Sequence, residues 1–149
     1  MIQTGSYDFA KRLMFYAPSD ISARLLNYNG SREKRDMVQM HEMMEDTVLI
    51  GPTLAEGIDL PDDLCRFIII LKVPYPNLKD KLVNEKIKLF PLWYGSKTSN
   101  TIIQGIGRGV RNKNDYCTTY ILDACFYKLY LDTKPQYSKE LQERILIYN

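Results

Sequence analysis

The chain has 149 residues, of which 45% are apolar and 26% are charged, and its formal net charge is +2. This length and apolar content predict one globular domain with a compact core. The longest uninterrupted apolar run, residues 67–71, is far shorter than the ~20 residues of a bilayer-spanning helix, and the N-terminus lacks the layout of a signal peptide. We therefore expect a soluble, cytoplasmic protein. The net charge of +2 by itself says nothing about whether the chain binds nucleic acid.

The cysteines and the histidine do not have the spacing of a metal site. Cys65, Cys117 and Cys125 are odd in number and never approach CxxC spacing, which supports neither a disulfide framework nor a zinc or iron–sulfur site. We interpret them as small buried apolar residues. His41 has no second ligand at a suitable spacing, which favours a surface or core histidine. We expect this chain to bind no metal.

Charge is segregated along the sequence. Residues 36–63 contain eight acids and no Lys or Arg, whereas residues 91–114 contain four cations and no acid. Such segregation predicts a face that meets phosphates, although solvated charged faces also segregate by chance.

The hydrophobic pattern predicts strands and helices that alternate along the chain. Ser6 is the predicted N-cap of a helix that ends before Pro18, and Ser31 is the predicted cap after an Asn29-Gly30 turn. In chain order the elements are strand MIQTGS, helix YDFAKRLMFY, strand SARLLNYN, helix REKRDMVQMHEMMED, strand TVLIGP, strand CRFIIILKVP, helix NLKDKLVNEKIKLF, loop PLWYGSKTSN, helix IIQGIGRGVRNKND, strand CTTYILDACF and helix SKELQERILIY. This order, with continuous apolar strands, predicts a doubly wound, mainly parallel α/β sheet with helices on both faces.

Two smaller patterns leave alternatives open. Met37, Met40 and Met44 have helical spacing, which favours core packing over a binding surface. Trp93 and Tyr94 either anchor the loop PLWYGSKTSN or stack on nucleotide bases, and we favour the anchor.

The stretch IIQGIGRGVRNKND, residues 102–115, holds the most specific chemistry. On a helix, Gln104, Arg108 and Arg111 would project from one face, and two planar guanidinium groups there match the phosphates of a nucleotide. Its three glycines, Gly107 among them, indicate close packing. A solvated basic helix end is the alternative. Neither GIGRGV nor YGSKTS completes a phosphate-binding loop, so this chain alone is not expected to hydrolyse ATP.

The stretch GPTLAEGIDLPDD follows the strand TVLI and is predicted to lie at the carboxyl edge of the sheet, where open α/β sheets bind ligands. Gly57 would allow close backbone approach. Glu56 and Asp59 have oxygens for a ribose hydroxyl, a water or a neighbouring cation. An acidic loop with a tight turn is the alternative.

Four stretches are similar, in order, to the motifs of one helicase family. TGSYDFAKRL resembles motif IV of superfamily 2 helicases, NGSREKRDMV the segment after it, PTLAEGIDLPDDLCRFIIILKVPYP motif V with its following strand, and QGIGRGVR the motif VI pattern QxxGRxxR. The motifs are most similar in form to those of the XPD/DinG group of DNA helicases, and together they spread over most of residues 3–123. A lone QxxGRxxR is a weak signal, whereas four ordered stretches are specific.

The resemblance implies the second of two RecA-like motor domains, with ATP between them. In this family the Walker motifs and the iron–sulfur cysteines lie in or inserted into the first domain, and ATP with Mg²⁺ would be held mainly there. We therefore expect a fragment of a longer helicase that is inactive alone. Its expected partners are single-stranded DNA and the first motor domain. We expect no membrane association and a monomeric state.

The resemblance also implies roles for residues around the nucleotide. Arg108 and Arg111 would reach the ATP phosphates, and Gln104 would orient the nucleotide or its attacking water. The remaining nucleotide-binding positions would be Glu56, Gly57, Asp59 and Gly107, with Glu56 helping to couple the nucleotide cleft to the DNA path.

For DNA, the resemblance points to Ser6 and Tyr7 beside the single strand. A hydroxyl can bind a phosphate and a tyrosine can stack on a base, although Tyr7 packing under its own helix is an equal alternative. Lys11, Arg12 and Arg35 are further candidates for phosphate contacts.

A non-catalytic module that binds single-stranded nucleic acid or docks on a protein is the competing hypothesis. The basic stretch at residues 91–114 and the missing Walker motifs motivate it. A nicotinamide-dependent oxidoreductase is disfavoured because Val110 stands where GxGxxG requires glycine. The choice of DNA over RNA and the direction of translocation come from the resemblance alone.

Overall fold

The computed structural model describes residues 1–28, 30–53, 58, 60–110 and 114–148. Internal contacts divide the chain into two compact units. The first unit comprises Met1–Lys72 with Gly105–Leu122, and the second comprises Val73–Gln104 with Asp123–Asn149. The single-domain organisation and the expected fragment of a longer helicase remain predictions. No helix in the described ranges has the length and apolar content needed to cross a membrane.

The first unit is built on a five-stranded parallel sheet. Its strands, in chain order, are β1 (Ile2–Gln3), β2 (Leu25–Asn27), β3 (Val48–Gly51), β4 (Phe67–Ile70) and β5 (Thr118–Ile121). They lie side by side in the order β2-β3-β1-β4-β5, and every neighbouring pair is parallel. Because β1 is central, Ile2 pairs with Ile50 on one side and Ile69 on the other. The predicted α/β class is confirmed.

Helices cover both faces of this sheet. The helices of the first part of the chain are α1 (Tyr7–Tyr16), α2 (Ser19–Ser22) and α3 (Ser31–Met43). The connection through α1 and the return through α3 run in opposite directions along the sheet, so right-handed crossovers place these two helices on opposite faces. Ala10 of α1 packs with Leu25, Val48 and Ile50 in one buried cluster. Leu49, which alternates with Val48 and Ile50, is equally buried.

Helices α1 and α3 have different kinds of N-terminal cap. Ser6 caps α1 as predicted, because its Oγ accepts a hydrogen bond from the Phe9 N–H at 3.2 Å. The predicted Ser31 cap of α3 is wrong. Gly30 holds the cap position with a φ of 146°, a conformation that suits glycine, and Ser31 is the first helical residue. The short helix α2 was not predicted.

The predicted methionine stripe does not form the buried face of α3. Met40 is 40% exposed and Met44 is 49% exposed, whereas Met37 is half-buried. The half-buried Val38 and the buried His41 complete the inner face with Met37, at helical spacing. The prediction was wrong because the sequence pattern does not show which of two adjacent rows of apolar residues on α3 faces the core.

Of the two positions predicted for His41, surface or core, the structure shows the core. Its Nε2 lies 2.8 Å from the carbonyl oxygen of Leu64, which requires the hydrogen on Nε2. Its Nδ1 lies 2.7 Å from the Thr47 hydroxyl, so both ring nitrogens hold structural hydrogen bonds.

The second unit is helical. Its helices are α4 (Lys81–Leu89), most of α5 (Trp93–Ile106), α6 (Cys125–Thr133) and α7 (Lys139–Arg144). The α4 helix was predicted, and Asp80 caps it by accepting a 2.8 Å hydrogen bond from the Leu82 N–H. Helix α6 was missed, and the predicted closing helix is shorter than the stretch SKELQERILIY.

The predicted loop PLWYGSKTSN is wrong, because α5 begins at Trp93. Tertiary packing overrides the weak helix propensity of its Gly, Ser, Thr and Asn residues. A side chain at Gly95 would touch Thr133 and Leu129 of α6 at 3.4 and 3.6 Å. The buried Ser99 hydroxyl lies 2.6 Å from that of Thr133.

The anchoring role of Tyr94 is supported. Its hydroxyl donates a 3.0 Å hydrogen bond to the carbonyl oxygen of Pro76, and its ring stacks on Tyr75 with centroids 5.3 Å apart. Trp93 is half-buried, and the Lys86 Nζ lies 5.1 Å from its ring centroid.

We predict that Gly51→Ala destabilises the protein by roughly 1 to 3 kcal/mol, the usual range for an overpacked site. A Cβ at Gly51 would lie 2.5 Å from Cζ of Tyr28, whose ring is 1% exposed and has no room to retreat. Urea unfolding measures the change. Gly107→Ala is the matched control, since nothing lies within 4 Å of its added Cβ. Equal unfolding midpoints for the two variants would contradict the assigned packing.

Candidate nucleotide and DNA site

The strand order creates a switch point at the carboxyl edge of the sheet. The chain leaves β1 towards β2 on one side, and it leaves the neighbouring β4 towards β5 on the other. In open α/β sheets the crevice between two such strands binds ligands. The segment after β1, which contains Ser6 and Tyr7, therefore begins at a favoured binding position.

A tight turn holds the segment after β1 in place. The buried Thr4 donates from its N–H to the Gly51 carbonyl at 2.9 Å and from its Oγ1 to the Ser6 carbonyl at 2.8 Å. Gly5 has a φ of 77°, and an added Cβ would lie 3.3 Å from the Lys72 side chain. The Ser6 hydroxyl accepts the cap hydrogen bond, and a hydroxyl retains a hydrogen that can be donated.

Tyr7 combines packing and exposure. Its ring lies edge-on to Tyr28, with centroids 6.1 Å apart and an angle of 89°. It is nevertheless 42% exposed, whereas Tyr28 is buried against Gly51. The contact fits the packing alternative and the exposed fraction fits the stacking alternative, so both stay open.

Lys34, which was not predicted as a site residue, reaches this edge from α3. Its Nζ donates a 3.0 Å hydrogen bond to the Thr53 carbonyl and lies 5.9 Å from the centroid of the Tyr28 ring. These contacts hold the start of the loop after β3. Of that loop's predicted site residues, Glu56, Gly57 and Asp59 lie outside the described residues and remain predictions.

The three cations predicted for DNA are all exposed. Lys11 and Arg12 lie on α1, whereas Arg35 lies on α3. Since these helices cover opposite faces of the sheet, the structure does not bring Arg35 onto the same face as the other two.

The predicted helix through residues 102–115 is wrong in its second half. Helix α5 ends at Ile106, Gly107–Gly109 form a 3₁₀ turn, and Val110 is extended. Gln104 is exposed near the end of α5, while Arg108 is half-buried in the turn. The two therefore do not share one α-helical face, and Arg111 lies outside the described residues. Glycine's low helix propensity favours this early end.

Close packing beneath Gly109 also ends the helix. An added Cβ there would lie 2.6 Å from the Cys117 Cβ, would collide with the Cys117 Sγ and would come within 3.4 Å of the Cys65 Sγ. Only glycine fits without displacing them. Because Cys117 immediately precedes β5 and Cys65 lies two residues before β4, the turn that carries Arg108 lies at the amino edge of the sheet.

A buried ion pair secures the end of the same stretch. The Asp115 side chain is 0% exposed, and its Oδ1 accepts a 2.8 Å hydrogen bond from Nη1 of Arg66. The same Nη1 donates to the Tyr116 carbonyl at 3.0 Å, and the guanidinium lies 4.4 Å from the Tyr116 ring centroid. Asp63, exposed at the surface, also accepts from Arg66 at 2.9 Å. Sequence reasoning missed this pair, although Asp115 is the first acid after a long basic stretch.

The segment GPTLAEGIDLPDD therefore connects the two edges. It leaves β3 at the carboxyl edge beside Tyr28, and it ends in a 3₁₀ turn, Asp62–Cys65, which one residue separates from β4. The prediction that the whole stretch lies at the carboxyl edge is wrong for Asp62 and Asp63, because β4 starts at the opposite edge. The described residues contain no cluster of three or more His, Cys, Asp or Glu side chains placed to hold a metal ion.

Comparison with known proteins identifies the family. The helicase C-terminal domain family matches residues 2–144. The chain therefore belongs to this family, and it is of the XPD/DinG type within superfamily 2 that the ordered motifs indicated.

Individual relatives agree with this assignment. The ATP-dependent DNA helicase chl-1 of Caenorhabditis elegans is 31% identical over 88 residues, covering 54% of this chain and 11% of that protein. The ATP-dependent DNA helicase CHL1 of Saccharomyces cerevisiae is 26% identical over 149 residues, covering 87% and 16%. The chain thus spans under a fifth of either relative.

Solved structures share the fold. An apo structure of XPD superposes with a TM-score of 0.63 at 25% identity, over 93% of this chain and 30% of that chain. Xpd4 of S. tokodaii superposes with a TM-score of 0.61 at 20% identity, over 94% and 29%. The RecA-like fold is thereby confirmed.

We predict that Asp115→Asn destabilises the protein by about 1 to 3 kcal/mol, because it removes the charge of the fully buried carboxylate that accepts the hydrogen bond from Arg66. Asp63→Asn is the matched control on the same arginine. Its carboxylate is 96% exposed, so we expect no measurable change. Urea unfolding of both variants provides the comparison. Equal losses would show that the buried carboxylate has no special role.

Proposed function

We propose that this chain is the C-terminal motor domain of an ATP-dependent DNA helicase. It supplies arginines to ATP bound by a first motor domain and forms part of the single-stranded DNA track. The observation that carries the proposal is the arrangement of the ordered motifs. The Arg108 turn lies at the amino edge of the sheet, the Ser6–Tyr7 segment begins at the carboxyl edge, and motif V runs between the two.

For the nucleotide, the proposal rests on guanidinium chemistry. Charge spreads over the phosphoryl group in the transition state, and an arginine held beside it is typically worth ~10³ to 10⁵ in rate. Contacts on both sides of Arg108 and Arg111 support this role. Gly109 packs against the cysteines, and Asp115 is held by its ion pair with Arg66. In this proposal the first motor domain binds Mg²⁺ and most of the ATP, and Gln104 orients the nucleotide or the attacking water.

For DNA, the proposal uses the segment after β1. The Ser6 hydroxyl can donate to a phosphate, and the exposed part of Tyr7 can stack on a base. Lys11 and Arg12 on α1 would add phosphate contacts on that face, and Arg35 would add one on the other. Motif V would transmit changes between the arginine turn and the strand-binding edge, since its two ends contact structures at both edges.

The first experiment compares ATPase activity, with and without single-stranded DNA, for this chain and for the protein extended by a first motor domain. We expect no turnover from the 149-residue chain and DNA-stimulated turnover from the longer protein. Absence of turnover in both would instead favour the non-catalytic module that binds single-stranded nucleic acid or docks on a protein.

We predict that Arg108→Ala in the longer protein lowers the ATPase kcat by at least ~10³, because the transition-state charge loses a donor. Arg111→Ala should have a similar effect. Arg144→Ala, on the exposed face of α7, is the matched control and should retain full turnover. Circular dichroism verifies the fold of each variant. Undiminished turnover in the Arg108 and Arg111 variants would refute the arginine assignment.

We predict that Tyr7→Ala weakens binding of single-stranded DNA by ~1 to 3 kcal/mol, the range for one lost stacking contact, while Tyr7→Phe binds normally. Fluorescence anisotropy with a labelled oligonucleotide measures the affinity. Tyr16→Ala, at the other end of α1 and 75% exposed, is the matched control. If Tyr7→Ala lowers stability but leaves affinity unchanged, the ring serves packing alone.

A further inference from the structure

Two thiols lie side by side beneath the turn that carries Arg108. The Sγ atoms of Cys65 and Cys117 are 3.9 Å apart. Cys117 immediately precedes β5 and Cys65 lies two residues before β4, the hydrogen-bonded neighbour of β5, and the Thr118 N–H donates to the Arg66 carbonyl at 3.1 Å. Since the register pairs Phe67 with Thr118, Cys117 lies opposite Arg66, the direct neighbour of Cys65.

The local packing leaves the two sulfurs close together. A Cβ added at Gly109 would overlap Cys117 and come within 3.4 Å of the Cys65 Sγ, so the Gly109 backbone lies close to both cysteines. Formation of an S–S bond of about 2.05 Å requires the sulfurs to approach by only ~2 Å, which small side-chain rotations supply. No strand has to separate from its neighbour.

The pair also has the chemistry for oxidation. The hydrogen bond from Cys117 lowers the pKa of the Cys65 thiol to about 7, although burial opposes the shift, and the same bond together with burial raises the pKa of Cys117. The thiolate is the reactive form of cysteine. Cys65 is 2% exposed, whereas Cys117 is partly exposed, so a small oxidant approaches from the Cys117 side.

We propose that Cys65 and Cys117 are a redox modification site that a small hydroperoxide converts reversibly into a disulfide. The Cys65 thiolate attacks one oxygen of hydrogen peroxide, the O–O bond breaks, and hydroxide leaves and is protonated to water. Cys117 then attacks the Cys65 sulfenic acid, the S–O bond breaks, and the thiol proton leaves with that oxygen as a second water. Two thiols are oxidised, and one peroxide is reduced to two waters. The proposal does not rest on the proposed ATPase.

The test treats the reduced, full-length protein with hydrogen peroxide, blocks remaining thiols with iodoacetamide and analyses a non-reduced digest by mass spectrometry. We expect a peptide pair joined through Cys65 and Cys117, lighter by two hydrogens, that separates on treatment with dithiothreitol. Cys125→Ser is the matched control and should form the same link, because the observed thiol contact joins Cys65 to Cys117. Cys117→Ser should stop at a sulfenic acid on Cys65 that dimedone traps.

Two results would overturn the proposal. Both are measured on the wild-type protein, so neither depends on whether a variant folds. One is full alkylation of Cys65 and Cys117 after denaturation at peroxide levels that already oxidise Cys125. The other is a disulfide that includes Cys125, which would indicate random pairing in unfolded protein.

Discussion

The ion pair between Arg66 and Asp115 is the contact on which the arrangement of the candidate nucleotide site depends. It joins the start of β4 to the end of the motif VI stretch, and the same guanidinium also holds Asp63 at the end of motif V. A fully buried carboxylate is tolerated only when charged hydrogen bonds satisfy it, so the two segments are constrained to meet at this point. The 3₁₀ turn with Arg108 lies between this ion pair and the end of α5, and the close contact of Gly109 with Cys117 fixes its other side.

The parallel sheet places the proposed nucleotide contacts and the proposed DNA contacts at opposite edges, and one segment of the chain connects the two edges. All five strands run in the same direction, so each connection must return from the carboxyl edge to the amino edge. The connection from β3 to β4 is the motif V segment. One end of this segment lies beside Tyr28 and Lys34, and the other lies beside Arg66. A displacement at either end therefore acts on one continuous stretch of backbone, which is a physical route for coupling nucleotide state to DNA binding in the proposed motor.

The strands and the first helix could be predicted from local pattern, because apolar runs and caps are properties of neighbouring residues. The helices of the second unit were harder to predict from the sequence. Helix α5 begins in a stretch with weak helix propensity, and the contacts of Gly95 and Ser99 with α6 supply its stability. The methionine stripe failed for a related reason, since the choice between two adjacent faces of α3 depends on which face meets the sheet.

The class of fold and the family follow from the amino-acid sequence alone, because short stretches of residues contain the four ordered motifs and the series of apolar strands. The sequence also identified Ser6 as a helix cap, whereas the choice between a surface and a core position for His41 required the structure. Three features depend on tertiary contacts instead: the end of the motif VI helix before Arg108, the pairing of Arg66 with Asp115, and the meeting of two cysteines beneath the turn. Those contacts join residues roughly fifty positions apart, and no local periodicity or propensity encodes which distant partner a side chain meets.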